Sequence, residues 1–103
     1  MPRIEPLSAD AAPTDVRATY DHFLAERGNI PNMFRTLAYR PEVMKASEEF
    51  LTAVMATGTL PRVMKELVSV RVSMLNATDY CRASHTALSR KFGADDATLA
   101  ATV

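Results

Sequence analysis

Apolar residues recur along this chain at three- and four-residue intervals, the spacing of helices, and nowhere alternate over a useful length as strands do. Thr14 fits the N-cap of a first helix whose inner positions are Val16, Tyr20, Phe23 and Leu24, and Gly28 suits its left-handed end. Asn29-Ile30-Pro31 reads as a connector, followed by a shorter helix from about Asn32 to Tyr39. Pro41 can open the next helix, because a first-turn residue has no N–H to lose. Val43, Ala46, Phe50 and Val54 are its expected inner stripe, and Gly58 breaks it. Ahead of these helices, Pro2, Pro6 and Pro13 mark residues 1–13 as an extended arm.

Leu60-Pro61 restarts the chain into the most apolar segment, about 62–76, with Val63, Met64, Leu67, Val68, Val70, Val72, Met74 and Leu75. A helix apolar on most sides is central in its fold or its assembly, so its polar exceptions carry information. Glu66, Ser69 and Ser73 fall on one narrow stripe. The next helix spans about 78–92 and ends at Gly93, and Asp95 can cap a last one beginning near Asp96. The pattern predicts an all-α, compact helical bundle of five to six helices in a single domain over 1–103. Helices 62–76 and 78–92 form its central antiparallel pair. Leu99-Ala100-Ala101-Thr102-Val103 reads as the opening of a helix that stops early, and the expectation is a truncated C-terminus.

Composition sharpens this. The 103 residues are 48% hydrophobic, a surplus for a lone small globule that predicts apolar surface covered by another subunit. Lys plus Arg and Asp plus Glu both number 12, so no net positive field draws nucleic acid. No segment approaches membrane-spanning length, and the N-terminal MPRIEPLSAD lacks the apolar core of a signal peptide. One cysteine excludes an intrachain disulfide and predicts a reduced, cytoplasmic thiol. The six methionines read as gap-filling core.

The candidate chemistry centres on that thiol. Cys81 and His85 are four apart in a helical segment and share a face, continued by Leu88 and Phe92, while Arg82, Ser89 and Arg90 point elsewhere. Cys81 lies in about the first turn, where the helix dipole favours thiolate. A free thiol titrates near pH ~8.5, so an imidazole that moves its proton activates it. A carboxylate orients and charge-stabilises such an imidazole. Glu66 can meet the Cys81–His85 face if the two helices pack antiparallel. The bland readings stand beside this one. A lone cysteine on an apolar face is commonly inert packing, Glu66 can pair with Arg62 or Arg71, and Ser69 and Ser73 can bond back to their own carbonyls. One Cys, two His and scattered carboxylates give no four-ligand zinc pattern, and His22 has no spaced partner.

The string Glu66-Leu-Val-Ser-Val-Arg-Val-Ser-Met-Leu-Asn76-Ala-Thr78-Asp79-Tyr80-Cys81-Arg-Ala-Ser-His85 resembles the signature of the alkylhydroperoxidase-like/carboxymuconolactone decarboxylase family. That signature is a Glu followed, about a dozen residues on, by Asn-x-Cys-x-Tyr-Cys-x-x-x-His. Ile30-Pro31-Asn32-Met33-Phe34, Tyr39-Arg40-Pro41 and Leu60-Pro61 add to the resemblance, which covers roughly Gly28 to the end. It implies that Cys81 reacts with peroxide, that His85 and Glu66 form its proton relay, and that Tyr80 and Asn76 support the site. One position departs: Thr78 stands where the family has the first cysteine, so a disulfide within the chain cannot close.

The resemblance therefore implies a thiol-dependent peroxidase-like protein using one cysteine, a hydroperoxide substrate and an external thiol reductant, with no cofactor and no metal. Thr78 can still cap the helix or hydrogen-bond a thiolate. Two other readings stay open. One is a cofactor-free decarboxylase-like enzyme on a small carboxylated lactone, with Arg71 and Arg82 as carboxylate partners. The other is a helical assembly protein whose thiol site has decayed. A homo-oligomer, trimer or hexamer, is expected in each case.

Overall fold

The computed structural model describes residues 2–103, so Met1, the first residue of the expected arm, lies outside the described residues. Six helices follow in order: α1 Thr14–Arg27, α2 Asn32–Leu37, α3 Pro41–Met55, α4 Arg62–Leu75, α5 Asp79–Lys91 and α6 Asp96–Thr102. No strand occurs among the described residues. The all-helical class and the helix number are as the periodicity predicts. By internal contacts the chain divides into two units, Met1–Thr52 and Ala53–Val103, the boundary falling in the last turn of α3.

In the first unit, α1 buries Val16, Tyr20 and Phe23, and these join Ala12, Phe34, Ala38 and Met44 in one core. Phe23 stacks on Phe34, centroids 4.6 Å apart, a geometry that adds to area burial. The arm before α1 is pinned. Leu7 donates its N–H to Arg35 O at 2.9 Å, and Leu7 O accepts from Tyr20 Oη at 3.0 Å and from Arg35 Nε at 3.1 Å. Pro13, not Thr14, occupies the N-cap of α1, and no side chain caps it. The proline supplies the extended backbone a cap needs and Thr14 starts the helix. Leu24 is exposed, one position past the face that Val16, Tyr20 and Phe23 define.

The inner stripe expected for α3 is corrected. Val43, Ala46, Phe50 and Val54 are exposed, with Phe50 at 66%, and the helix buries Met44 instead, with Leu51 partly buried. The apolar residues of α3 lie on two arcs, and the core takes the Met44 arc. The methionines are corrected with it. Met44 is buried, Met33 and Met64 are exposed, and Met55 and Met74 are half-buried.

In the second unit, α4 and α5 form an antiparallel hairpin. Arg62 at the start of α4 lies over Phe92 at the end of α5, and Glu66 meets His85 further along. The turn is a Schellman motif. Thr78 N–H bonds Ser73 O at 2.9 Å and Ala77 N–H bonds Met74 O at 3.1 Å, with Ala77 at φ +52°. The end of α5 repeats the motif, Ala94 N–H on Ser89 O and Gly93 N–H on Arg90 O, with Gly93 at φ +109°. Asp95 caps α6, its Oδ1 accepting from Thr98 N–H at 2.7 Å. Lys65 Nζ donates to Val54 O at 2.8 Å and Ala56 O at 2.6 Å, closing the carbonyls where α3 ends.

Of the many apolar residues of α4, Leu67 and Val70 are buried, alongside Glu66 and Ser73. Met64, Val68, Val72 and Leu75 form an exposed stripe, with Leu75 at 70%. Among the described residues no helix is long and apolar enough to cross a membrane.

Candidate functional site

Glu66 sits one turn inside α4, and its side chain is fully buried. An isolated carboxylate there would cost several kcal/mol, in the range of about 3–5 for an uncompensated buried charge. Its two oxygens are each satisfied. Oε1 accepts from Arg62 Nε at 2.8 Å, and Oε2 meets His85 Nδ1 at 2.6 Å. A carboxylate can only accept, so His85 donates through Nδ1–H, and Nε2 is the ring nitrogen that remains for proton exchange. Burial works against the charged form of Glu66, but the hydrogen bonds from His85 and Arg62 and their positive charge outweigh it. The net effect holds the carboxyl below the usual carboxylate range.

His85 reaches Glu66 because α5 runs antiparallel to α4. Its ring is held by Glu66 at Nδ1, and its backbone carbonyl accepts from Ser89 Oγ at 2.7 Å. Ser89 is fully buried, which corrects the reading that it points away. A small hydroxyl bonding back one turn can be buried without an unpaired donor, and its spacing of four from His85 was the available signal. Leu88 is half-buried and Phe92 is 40% exposed.

Cys81 is half-buried, one turn before His85 on the same helix and third in α5, where the N–H groups of the first turn face outward. The buried carboxylate, the imidazole and the thiol therefore fall in sequence along one hairpin. Arg62 extends the row at its other end, with its guanidinium 4.5 Å from the centroid of the Phe92 ring.

The supporting positions differ from expectation in one respect. Thr78 occupies the N-cap of α5, but its hydroxyl makes no cap bond and instead contacts Asn76 O at 3.4 Å. Its N–H, not its side chain, organises the turn. Asn76 is the C-cap of α4, bonded through its N–H to Val72 O at 3.0 Å, and Tyr80 is exposed at the first turn of α5. Ser69 and Ser73 bond back to Lys65 O and Ser69 O, the modest role their spacing allowed. Arg82 and Arg71 are exposed, and Arg82 lies 3.6 Å from Asp79. Among the described residues no three of His, Cys, Asp and Glu converge as a metal site would need.

These features define an all-helical protein whose helical hairpin pairs a buried carboxylate with an imidazole that lies one turn from a thiol. The profile of the carboxymuconolactone decarboxylase family matches residues 41–103, and the chain belongs to that family. Its structure is similar to the crystal structure of an alkylhydroperoxidase AhpD core from Rhodospirillum rubrum. The TM-score is 0.85 at 31% identity over 99% of this chain and 79% of that one. No curated protein matches the chain.

Proposed function

We propose that this chain is a one-cysteine, thiol-dependent peroxidase-like protein acting on hydroperoxides. The observation that carries this is the buried Glu66 carboxylate accepting the Nδ1–H of His85 at 2.6 Å, one helical turn from Cys81. Its membership of the family supports it. With Nδ1–H committed to Glu66, His85 Nε2 is free to take the thiol proton. The thiolate then attacks the outer peroxide oxygen, the S–O bond forms and the O–O bond breaks. Sulfur is oxidised by two electrons, and the leaving alkoxide takes the proton back from His85. Glu66 balances the charge on the imidazolium between the two transfers.

Thr78 stands where the resemblance expects a resolving cysteine, so the sulfenic acid is resolved from outside. A small thiol displaces water to give a mixed disulfide, and a second thiol frees Cys81. That cycle belongs in a reducing, cytoplasmic setting. The chain works as a homo-oligomer, a reading supported by the exposed apolar residues of α3 and of α4. Peroxide added to reduced protein should convert Cys81 to the sulfenic acid, followed by mass, faster than it oxidises free cysteine. Oxidation no faster than free cysteine defeats the reading.

The profile match also favours a second reading, decarboxylation of a small carboxylated lactone. Turnover of such a compound that persists in Cys81→Ser would select it over the peroxidase-like one.

A further inference from the structure

We infer that Arg62, held over the Phe92 ring, is a positioning residue that fixes the polarity of the Glu66–His85 pair, keeping Glu66 a hydrogen-bond acceptor and never the proton donor. This rests on the proposed relay and deepens it.

Two contacts of Arg62 carry the argument. Its Nε donates to Glu66 Oε1 at 2.8 Å, and its guanidinium carbon stands 4.5 Å from the Phe92 centroid. Glu66 is on α4 and Phe92 closes α5, so the guanidinium is gripped by both helices of the hairpin. The Arg62 side chain is 28% exposed and Glu66 fully buried, so the pair is only partly screened by water. A planar guanidinium stacks on a ring and donates in its own plane, and lysine cannot do both.

The consequence concerns one proton. With one exchangeable proton between them, the Glu66–His85 pair has two forms, carboxylate with imidazolium and carboxylic acid with neutral imidazole. A cation bonded to Oε1 penalises the second form alone. The charged groups that bear on Glu66 are Arg62 on its own helix and His85 on α5. Both favour the ionised carboxyl against the opposing effect of burial. With Arg62 in place, the exchangeable proton of the relay is therefore confined to His85 Nε2, the atom available to the thiol.

The test is a pH titration of the Glu66 carboxyl by difference infrared spectroscopy, with Glu66→Gln identifying the band. It is paired with the pH profile of Cys81 reaction with a pyridyl disulfide. In Arg62→Met, the carboxyl band and the acid limb of the thiol profile should both move upward by about one pH unit or more, the effect of losing an adjacent opposite charge. Arg62→Lys should recover part of the shift, and Phe92→Leu should give a smaller shift in the same direction. An unmoved band in folded Arg62→Met overturns the inference. If Arg62→Met does not fold, an unmoved band in Phe92→Leu overturns it instead. Neither readout uses peroxide. A shifted band in a protein whose Cys81 resists peroxide sustains the inference and rejects only the peroxidase-like function.

Discussion

Glu66 combines complete burial with two charged partners, and the cost of disturbing it follows from that combination. Glu66→Gln keeps the shape but leaves the Arg62 guanidinium without its carboxylate. Because Arg62 is partly exposed, the destabilisation should be about 1–3 kcal/mol, below the full penalty of a buried unpaired charge. Urea unfolding followed by circular dichroism measures it, and an unchanged midpoint would show the pair to be energetically idle. Cys81→Ser should leave that midpoint nearly unchanged while abolishing oxidation by peroxide, since the half-buried thiol is not a core anchor. At this scale the sequence was informative. The spacing of Cys81 and His85 puts them on one helix face, and it permits Glu66 to meet that face from the preceding helix without requiring it. Arg62 and Arg71 are both near Glu66 in sequence as alternatives to a histidine partner, and in the structure Glu66 takes Arg62, one helical turn away, as well as His85. The stacking of Arg62 on Phe92 was not legible, because it depends on where α5 ends against α4.

Two hairpin ends share one hydrogen-bond pattern but not one residue type. Gly93 takes its positive φ without penalty, whereas Ala77 at φ +52° carries the steric cost of a Cβ in the left-handed region. Ala77→Gly should relieve about 1 kcal/mol in the folded chain and give back part of that through a freer unfolded chain, leaving a net gain near ~0.5 kcal/mol. Gly93→Ala should cost more than about 1 kcal/mol, because φ +109° lies outside the left-handed well that alanine can enter. Melting temperatures that rise for the first variant and fall for the second bear this out, and shifts of the opposite sign refute it. Glycine-terminated helices were readable from sequence. The turn at Ala77 was not, since an alanine gives no hint of positive φ. The buried face of α3 is hidden from the sequence for a different reason. Its apolar residues occupy two arcs, and periodicity cannot say which arc a core will use when the other is left exposed.

Over the whole chain, the two units lean on titratable groups at opposite ends of the pH scale. Tyr20 donates its hydroxyl to Leu7 O in the first unit, and burial above all raises its pKa from the ordinary value of 10.0. Its contribution is complete below about that pH and is lost as pH rises through the folded value. For Glu66 in the second unit, burial pushes upward but its two partners prevail, and the pKa falls below 4.5. Its contribution is complete above that pH and is lost as pH falls through the folded value. Stability measured across pH should therefore fall at both extremes, with Tyr20→Phe flattening the alkaline slope and Glu66→Gln the acid one. Slopes identical to the parent in both variants would refute the assignment. The hairpin has one more consequence, for how the site comes into being. Glu66 and His85 are only 19 residues apart in sequence, and Arg62, Cys81 and Phe92 lie on the same two helices. Closing so short a loop costs little entropy, and contacts this local form early when a chain folds. The arrangement around the thiol is thus encoded in one contiguous stretch, residues 62–92, so a single local folding event brings its groups together.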